Sequence, residues 1–217
     1  MHVFNTTAGL SRCERHCIYL VTKKPDHGAF QLYSVAFTAL TSKIPDSLSF
    51  KDASVLPLAI STASSGLHMK EFLHLPYPST KPQPTGKSIL VFGASSSVGA
   101  LAVQLAVASG VKVIATASAH NHDLVKSLGA TEVFDHKDAD AAAKIVSALK
   151  SAGEFAGVYD AIGWTSAQTV CADVLRAFGG GFVASSLGLE KGDELPENVK
   201  LVMCKSIGHK IRTLTKL

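Results

Sequence analysis

Apolar positions are organised differently in the two parts of this chain. Up to about residue 85 they fall without a clear period among Ser, Thr, Pro and Leu, and the Pro/Lys/Thr-rich stretch 76–85 reads as a loop or linker. Beyond it the pattern turns regular. Residues 88–92 form a short apolar run closed by Gly93, after which Val98, Leu101, Ala102 and Leu105 recur at helical spacing as far as Ser109, with Gly110 as the stop. The same periodicities predict strands over 111–115, 132–134, 157–161 and 181–185, and a sixth over 199–207. Helices are predicted over 123–128, 139–151 and 167–178. Strands alternating with helices imply βαβ units and a parallel sheet. The strands lack the apolar–polar alternation of a one-sided sheet, as expected where helices cover both faces. The expectation is an α/β fold, a Rossmann-type doubly wound parallel sheet over residues 85–217.

The first strand–turn–helix carries the chemistry. Gly93, Ala94, Ser95, Ser96, Ser97, Val98 and Gly99 link strand to helix. A diphosphate needs backbone N–H donors at a helix N-terminus and small residues that let the backbone come close. Gly93 permits a tight exit from the strand, the serines add hydroxyls for phosphate oxygens, and Gly99 lets the helix lie against the strand. As a G-x-G-x-x-G motif the segment keeps only its last glycine; its place between a strand and a helix, at the head of a βα series, is the context such a motif requires. Gly86-Lys87-Ser88 precedes the strand and lacks the upstream glycine of a P-loop, and Ser97 occupies the second glycine of a nucleophile elbow, so an NTPase and a serine hydrolase are disfavoured.

The second predicted strand ends Ala115-Thr116-Ala117-Ser118, without the acid that binds an NAD ribose. Ser118, Asn121 and His120 can instead donate to a 2′-phosphate, which favours NADPH; Asn121 is equally a helix-capping type. With 217 residues there is room for one large domain or one domain and part of another, and 47% hydrophobic with 18% charged residues is an ordinary folded composition. The net charge of +4 suits a phosphate-bearing small molecule or a plain surface, and no Lys/Arg cluster with interleaved aromatics points to nucleic acid. Four scattered cysteines argue against a disulfide scaffold and fit a reducing cytoplasm. No apolar run approaches the roughly 18 residues of a membrane span.

Several short segments together carry a family resemblance: Leu56-Pro57-Leu58 with Ser61-Thr62-Ala63, Pro84-Thr85-Gly86-Lys87, the turn at 95–99, Gln104-Leu105-Ala106 and Leu128-Gly129-Ala130. From about residue 28 to 211 the chain resembles the medium-chain dehydrogenase/reductase superfamily, in particular its fungal zinc-binding-dehydrogenase-like and trans-acting enoyl reductase branch. The resemblance implies that 28–84 is a remnant of a GroES-like catalytic β-barrel domain and its connecting helix, with Ile44-Pro45-Asp46 and Phe50-Lys51-Asp52-Ala53 leading into that helix. It implies cofactor contacts at Thr62, at Ser118 and Asn121 (adenosine phosphate), and at the loops Asp160-Ala161-Ile162-Gly163 and Ser185-Ser186-Leu187, with Ile162, Gly163, Ser185 and Leu187 near ribose and nicotinamide. His136 stands where relatives commonly have Tyr. Residues 1–27 do not match the barrel and the family continues past residue 217, so a truncated chain is expected, with its cofactor half nearly whole.

Implied by the resemblance is an NADPH-dependent oxidoreductase that passes hydride to an enoyl or carbonyl group of a small molecule. The alternative is a non-catalytic nucleotide-binding fragment. Pairing through the edge of the sixth strand implies a homodimer. Zinc needs four ligands, or three and a water; Cys13, His16 and Cys17 have no second pair nearby, and His68, His74 and His120-x-His122 show no ligand pattern, so no metal is expected. Cys171 reads as core, Tyr159 lacks the lysine four residues on of a short-chain dehydrogenase, and no general acid can be named.

Overall fold

The computed structural model describes residues 2–5, 16–18, 33–36, 41–188 and 195–204. These divide into two compact units, one up to Ser61 and one spanning Thr62–Cys204. In the first, strand β1 (His2–Asn5) pairs in parallel with β3 (Tyr33–Ala36), and β2 (His16–Ile18) pairs antiparallel with β4 (Thr41–Lys43). Helix α1 (Phe50–Ser54) follows, opened by Ser49, whose side chain accepts from the Asp52 amide.

Helix α2 (Leu56–His68) begins before the unit boundary and runs past it. Its existence departs from the aperiodic reading of this stretch. Apolar residues are dispersed around α2, and Ser and Thr fill much of the rest, so no stripe marks a face; the family resemblance alone pointed to a helix here. The stretch 76–85 carries no helix or strand, as its prolines predict.

The second unit is built on six parallel strands: β5 (Lys87–Phe92), β6 (Lys112–Thr116), β7 (Glu132–Phe134), β8 (Glu154–Asp160), β9 (Gly181–Ser185) and β10 (Val199–Met203). Their spatial order is β10-β9-β8-β5-β6-β7. Chain direction across the sheet therefore reverses between β5 and β8, the switch point at which open α/β sheets bind ligands beyond their strands' carboxyl ends. The crossovers are α3 (Ser97–Ala108), α4 (His122–Ser127), α5 (Ala141–Ala152) and α6 (Trp164–Ala177).

Strands β5 to β9 each feed two cores. Ile89 and Val91 of β5 pack with Ala102, Val103 and Ala106 of α3 and Ala63 and Leu67 of α2; Leu90 and Phe92 pack on the opposite face with Ile145 and Leu149 of α5 and Cys171 and Leu175 of α6. Burial on both faces removes the need for alternation, which is why these strands read as continuous apolar runs. The predicted starts of β8 and α6 are each three residues late. Phe155 and Ala156 extend β8 as partly buried residues, and α6 begins directly after Gly163. Of the predicted sixth strand, the part beyond Cys204 lies outside the described residues.

Candidate cofactor site

The turn after β5 is a preformed backbone cradle. Gly93 takes a left-handed φ of +75°, and its amide donates to Thr116 Oγ1 at 3.1 Å, while the Ala94 amide donates to the Thr116 carbonyl at 2.9 Å. Thr116, fully buried at the end of β6, thus fastens the turn to the neighbouring strand. Its role is invisible in the sequence, where it is one more small residue.

Ser96 is the N-cap of α3: its hydroxyl donates to the Gly93 carbonyl at 2.8 Å and accepts from the Gly99 amide at 3.1 Å. That hydroxyl, expected to face phosphate, is committed to the turn. The amides of Ser95, Ser97 and Val98 meet no acceptor among the described residues, and the last two are the first-turn donors that a helix cannot satisfy internally. Gly99 shows why the turn must stay small. A Cβ there would lie 2.2 Å from the Gly93 carbonyl oxygen and 2.9 Å from Ala94 Cα.

Asp160, fully buried at the end of β8, joins the loops that follow β8 and β9, on one side of the switch point. One carboxylate oxygen accepts from the amides of Ile162 (3.0 Å) and Gly163 (2.9 Å); the other accepts from the Ser185 hydroxyl at 2.7 Å. The Asp160 carbonyl also accepts from the Ser186 amide at 2.8 Å. The Ser185 side chain is therefore spent on Asp160, and its carbonyl accepts from the Cys204 amide at 2.7 Å, so the fully buried Ser185 supports the loop from behind. Ile162 and Leu187, exposed at 40% and 54%, project from the clasped loops. Ile162 overlies the phosphate turn, since a Cβ on Gly93 would fall 2.2 Å from Ile162 Cγ1, and Leu187 adjoins Gly163. Phosphate turn and both loops are thus brought together. Thr62 lies buried in α2, whose neighbouring Ala63 and Leu67 pack on the α3 side of the sheet.

Ser118 and Asn121 precede the short 3-10 turn Ala119–Asn121 and helix α4, and neither side chain makes a cap hydrogen bond. His122 turns back, its Nε2 3.1 Å from the Ala117 carbonyl. Opposite them is an acid that the residues after β6 do not reveal, because it directly follows β7. Asp135 Oδ2 accepts from the Ala119 amide at 3.2 Å and Oδ1 from the Lys137 amide at 2.9 Å. The Lys137 amide above all holds this carboxyl below the usual carboxylate range. His136 lies beside it, with Nδ1 3.7 Å from Asp135 Oδ1 and its ring edge-on to Phe92 at 5.7 Å between centroids.

Other chemistry-bearing groups are structural. Cys171 is buried in the α6 core, and burial pushes its thiol up. Burial likewise raises the Tyr159 phenol and pushes the Cys204 thiol up to about 12; both side chains abut Gly66 of α2. No group of three or more His, Cys, Asp or Glu among the described residues is placed to hold a metal. Cys13 lies outside the described residues. Also among the described residues, no helix is long and apolar enough to cross a membrane.

Comparison with known proteins gives this architecture a family. Residues 97–211 match the zinc-binding dehydrogenase family. The chain belongs to that family, within the medium-chain dehydrogenase/reductases. Among curated relatives it is 45% identical over 192 residues to the trans-enoyl reductase himH of Aspergillus japonicus, covering 88% of this chain and 54% of that protein. It is 40% identical to the dehydrogenase orsE of Emericella nidulans, covering 87% of this chain and 58% of that one. The chain therefore spans about half the length of these relatives. Among solved structures, the CurK enoyl reductase aligns with a TM-score of 0.57 at 25% identity, over 82% of this chain and 54% of CurK. A mycobacterial protein solved with NADPH aligns with a TM-score of 0.57 at 28% identity, over 82% of this chain and 52% of its own. The metal in the family's name finds no matching donor set in the described residues.

Proposed function

We propose that this chain binds NADPH at the 93–99 turn and serves a zinc-independent oxidoreductase reaction of the enoyl or quinone reductase kind. The observation that carries the reading is the set of open amides of Ser95, Ser97 and Val98 at the β5–β8 switch point, opposite the clasped loops. Those donors and the dipole of α3 suit a diphosphate. Ser118 and Asn121, with uncommitted side chains, suit the adenosine phosphate. Ile162, Gly163 and Leu187 would wall the nicotinamide, on loops held in place by Asp160 and Ser185. When bound, NADPH supplies the hydride for an enoyl or carbonyl carbon of a small-molecule substrate. The protein's part is to hold that ring against the substrate and exclude water. Residues 28–84 correspond on this reading to the tail of the barrel domain and its connecting helix, the site works in a reducing cytoplasm, and the β10 edge pairs two copies.

A second reading is nucleotide binding without turnover. Titration with NADPH, then oxidation of NADPH in the presence of enoyl thioesters and quinones, separates the two. Binding with turnover supports the reductase, and binding alone supports the second reading. Gly99→Val is expected to lower NADPH affinity at least tenfold, because its side chain must displace the Gly93 carbonyl. Unchanged affinity in the folded variant would refute the placement.

A further inference from the structure

We propose that a notch between the amino ends of β8 and β9 is a second small-molecule site, for a single-ring aromatic carboxylate. β8 begins at Glu154 and β9 at Gly181, yet their shared ladder starts only where Val158 stands opposite Val183. The cause lies in β8, which carries an extra residue against β5: Ser88 faces Phe155, but Leu90 faces Val158. Such a bulge bends its strand and re-aims the neighbouring side chains. Gly157 sits at the bulge with a φ of +133°, and a Cβ there would lie 2.6 Å from the Phe182 carbonyl oxygen. Only bare backbone can pass at that point. Beside it opens a cavity of about 300 Å³, lined by Phe155, Ala156 and Gly157 of β8, Gly181 and Phe182 of β9, and Phe178 after α6.

The lining selects the ligand. Phe155 and Phe178 stack with centroids 4.4 Å apart at 31°, on the α5–α6 side of the sheet. Phe182 points to the other side from its neighbour Val183, and 38% of it is exposed. Rings thus border the notch from both sides, and aromatic faces favour a planar aromatic partner. Ligand sites run from roughly 300 to 1,000 Å³, so this one suits a single ring. An ammonium stands on each side: Lys150 Nζ lies 6.0 Å from the Phe178 centroid and Lys200 Nζ 5.2 Å from that of Phe182. Of the acids near by, Glu154 stands opposite Lys87 in the β5–β8 register and Asp173 pairs with Arg176 at 2.6 Å, which leaves Glu197 against two lysines. That balance favours an anion, and a carboxylate on the ring supplies the charge. Phe155 and Asp160 lie about 16 Å apart along one extended strand, so the notch and the clasped loops occupy opposite ends of the sheet.

The test is fluorine NMR titration of the full chain with 4-fluorobenzoate, and with 4-fluorobenzyl alcohol as its neutral counterpart. The carboxylate is expected to bind saturably and about tenfold more tightly than the alcohol, the preference that two exposed ion pairs supply. Replacing both lysines, Lys150→Met with Lys200→Met, should remove that preference and keep the binding of the alcohol. Phe182→Ala, with its fold checked by circular dichroism, should weaken both ligands about fivefold by deleting one wall. Saturating NADPH should leave both affinities unchanged. Absence of saturable binding, equal affinity for the two compounds, indifference to Phe182→Ala, or displacement by NADPH would each overturn the inference and leave the proposed cofactor site standing.

Discussion

Asp160 offers the sharpest test of how the site is held. Replacing it with alanine removes the acceptor for three donors at once: the Ile162 and Gly163 amides and the Ser185 hydroxyl. Hydrogen bonds to a charged acceptor contribute roughly 1.5–3 kcal/mol each, and a buried donor left without a partner loses its hydration as well. The Ser185 hydroxyl can rotate to another carbonyl, and Ile162 is partly exposed, so the sum is less than three full terms. A loss of about 4 kcal/mol is the working figure. With a urea slope of about 2 kcal/mol per M for a domain of this size, the midpoint should fall by about 2 M. Asp160→Asn keeps an acceptor for both amides and turns its own amide toward Ser185, which then accepts; only charge assistance is lost, and about 1 kcal/mol, or 0.5 M, is expected. Equilibrium urea unfolding followed by fluorescence and circular dichroism measures both. If Asp160→Ala shifts the midpoint no further than Asp160→Asn, the three-donor clasp is not what holds these loops.

Three further outcomes are expected. Gly66→Ala should destabilise by about 2 kcal/mol, as overpacking does, because its Cβ would lie 2.5 Å from Cys204 Sγ and 2.6 Å from Tyr159 Cε2; adding Cys204→Ala should recover part of this in thermal melts, and a strictly additive double variant would count against the contact. Ser96→Ala should cost about 1 kcal/mol through the lost N-cap, lowering Tm by roughly 3 °C, and an unchanged Tm would contradict the assigned cap. Burial above all lowers the His68 pKa from 6.5; since the unfolded chain then takes up the proton first, stability should decline as pH falls below 6.5 and level off below the folded-state pKa. Urea midpoints across that range should show the decline in the wild type and a weaker one in His68→Gln.

What could be read from the residues follows the physics of burial. Strands β5, β6, β8 and β9 are legible because their centres are dry on both faces and a glycine breaks the chain just before each. Gly99 could be understood in advance, since close helix–strand approach forbids a Cβ there whatever the ligand. Helix α2 could not be seen by periodicity, because Ser and Thr sit among apolar residues around its circumference. The polar residues of the site were harder still. Ser96 and Ser185 have the right chemistry for phosphate and ribose, yet in the fold their hydroxyls are consumed by Gly93 and Asp160. Asp160 ends β8 and Asp135 directly follows β7, and only the fold shows that the first joins two loops and the second reaches the turn after β6. A side chain's donors and acceptors are assigned by neighbours distant in sequence, which a linear pattern does not contain.

The clasp at Asp160 also bears on how such a site can change over generations. The groups that fix the two loops are a carboxylate, two amides and one hydroxyl, with Asp160 and Ser185 fully buried behind the exposed side chains. Ile162 and Leu187 stand in front, with side chains that make none of those bonds. On the proposed reading, substitution at these two positions would alter the shape and polarity presented to a substrate while leaving the supporting framework as it was. Mutational drift is therefore tolerated at the rim, whereas the same freedom at Asp160 or Ser185 would undo the loops themselves.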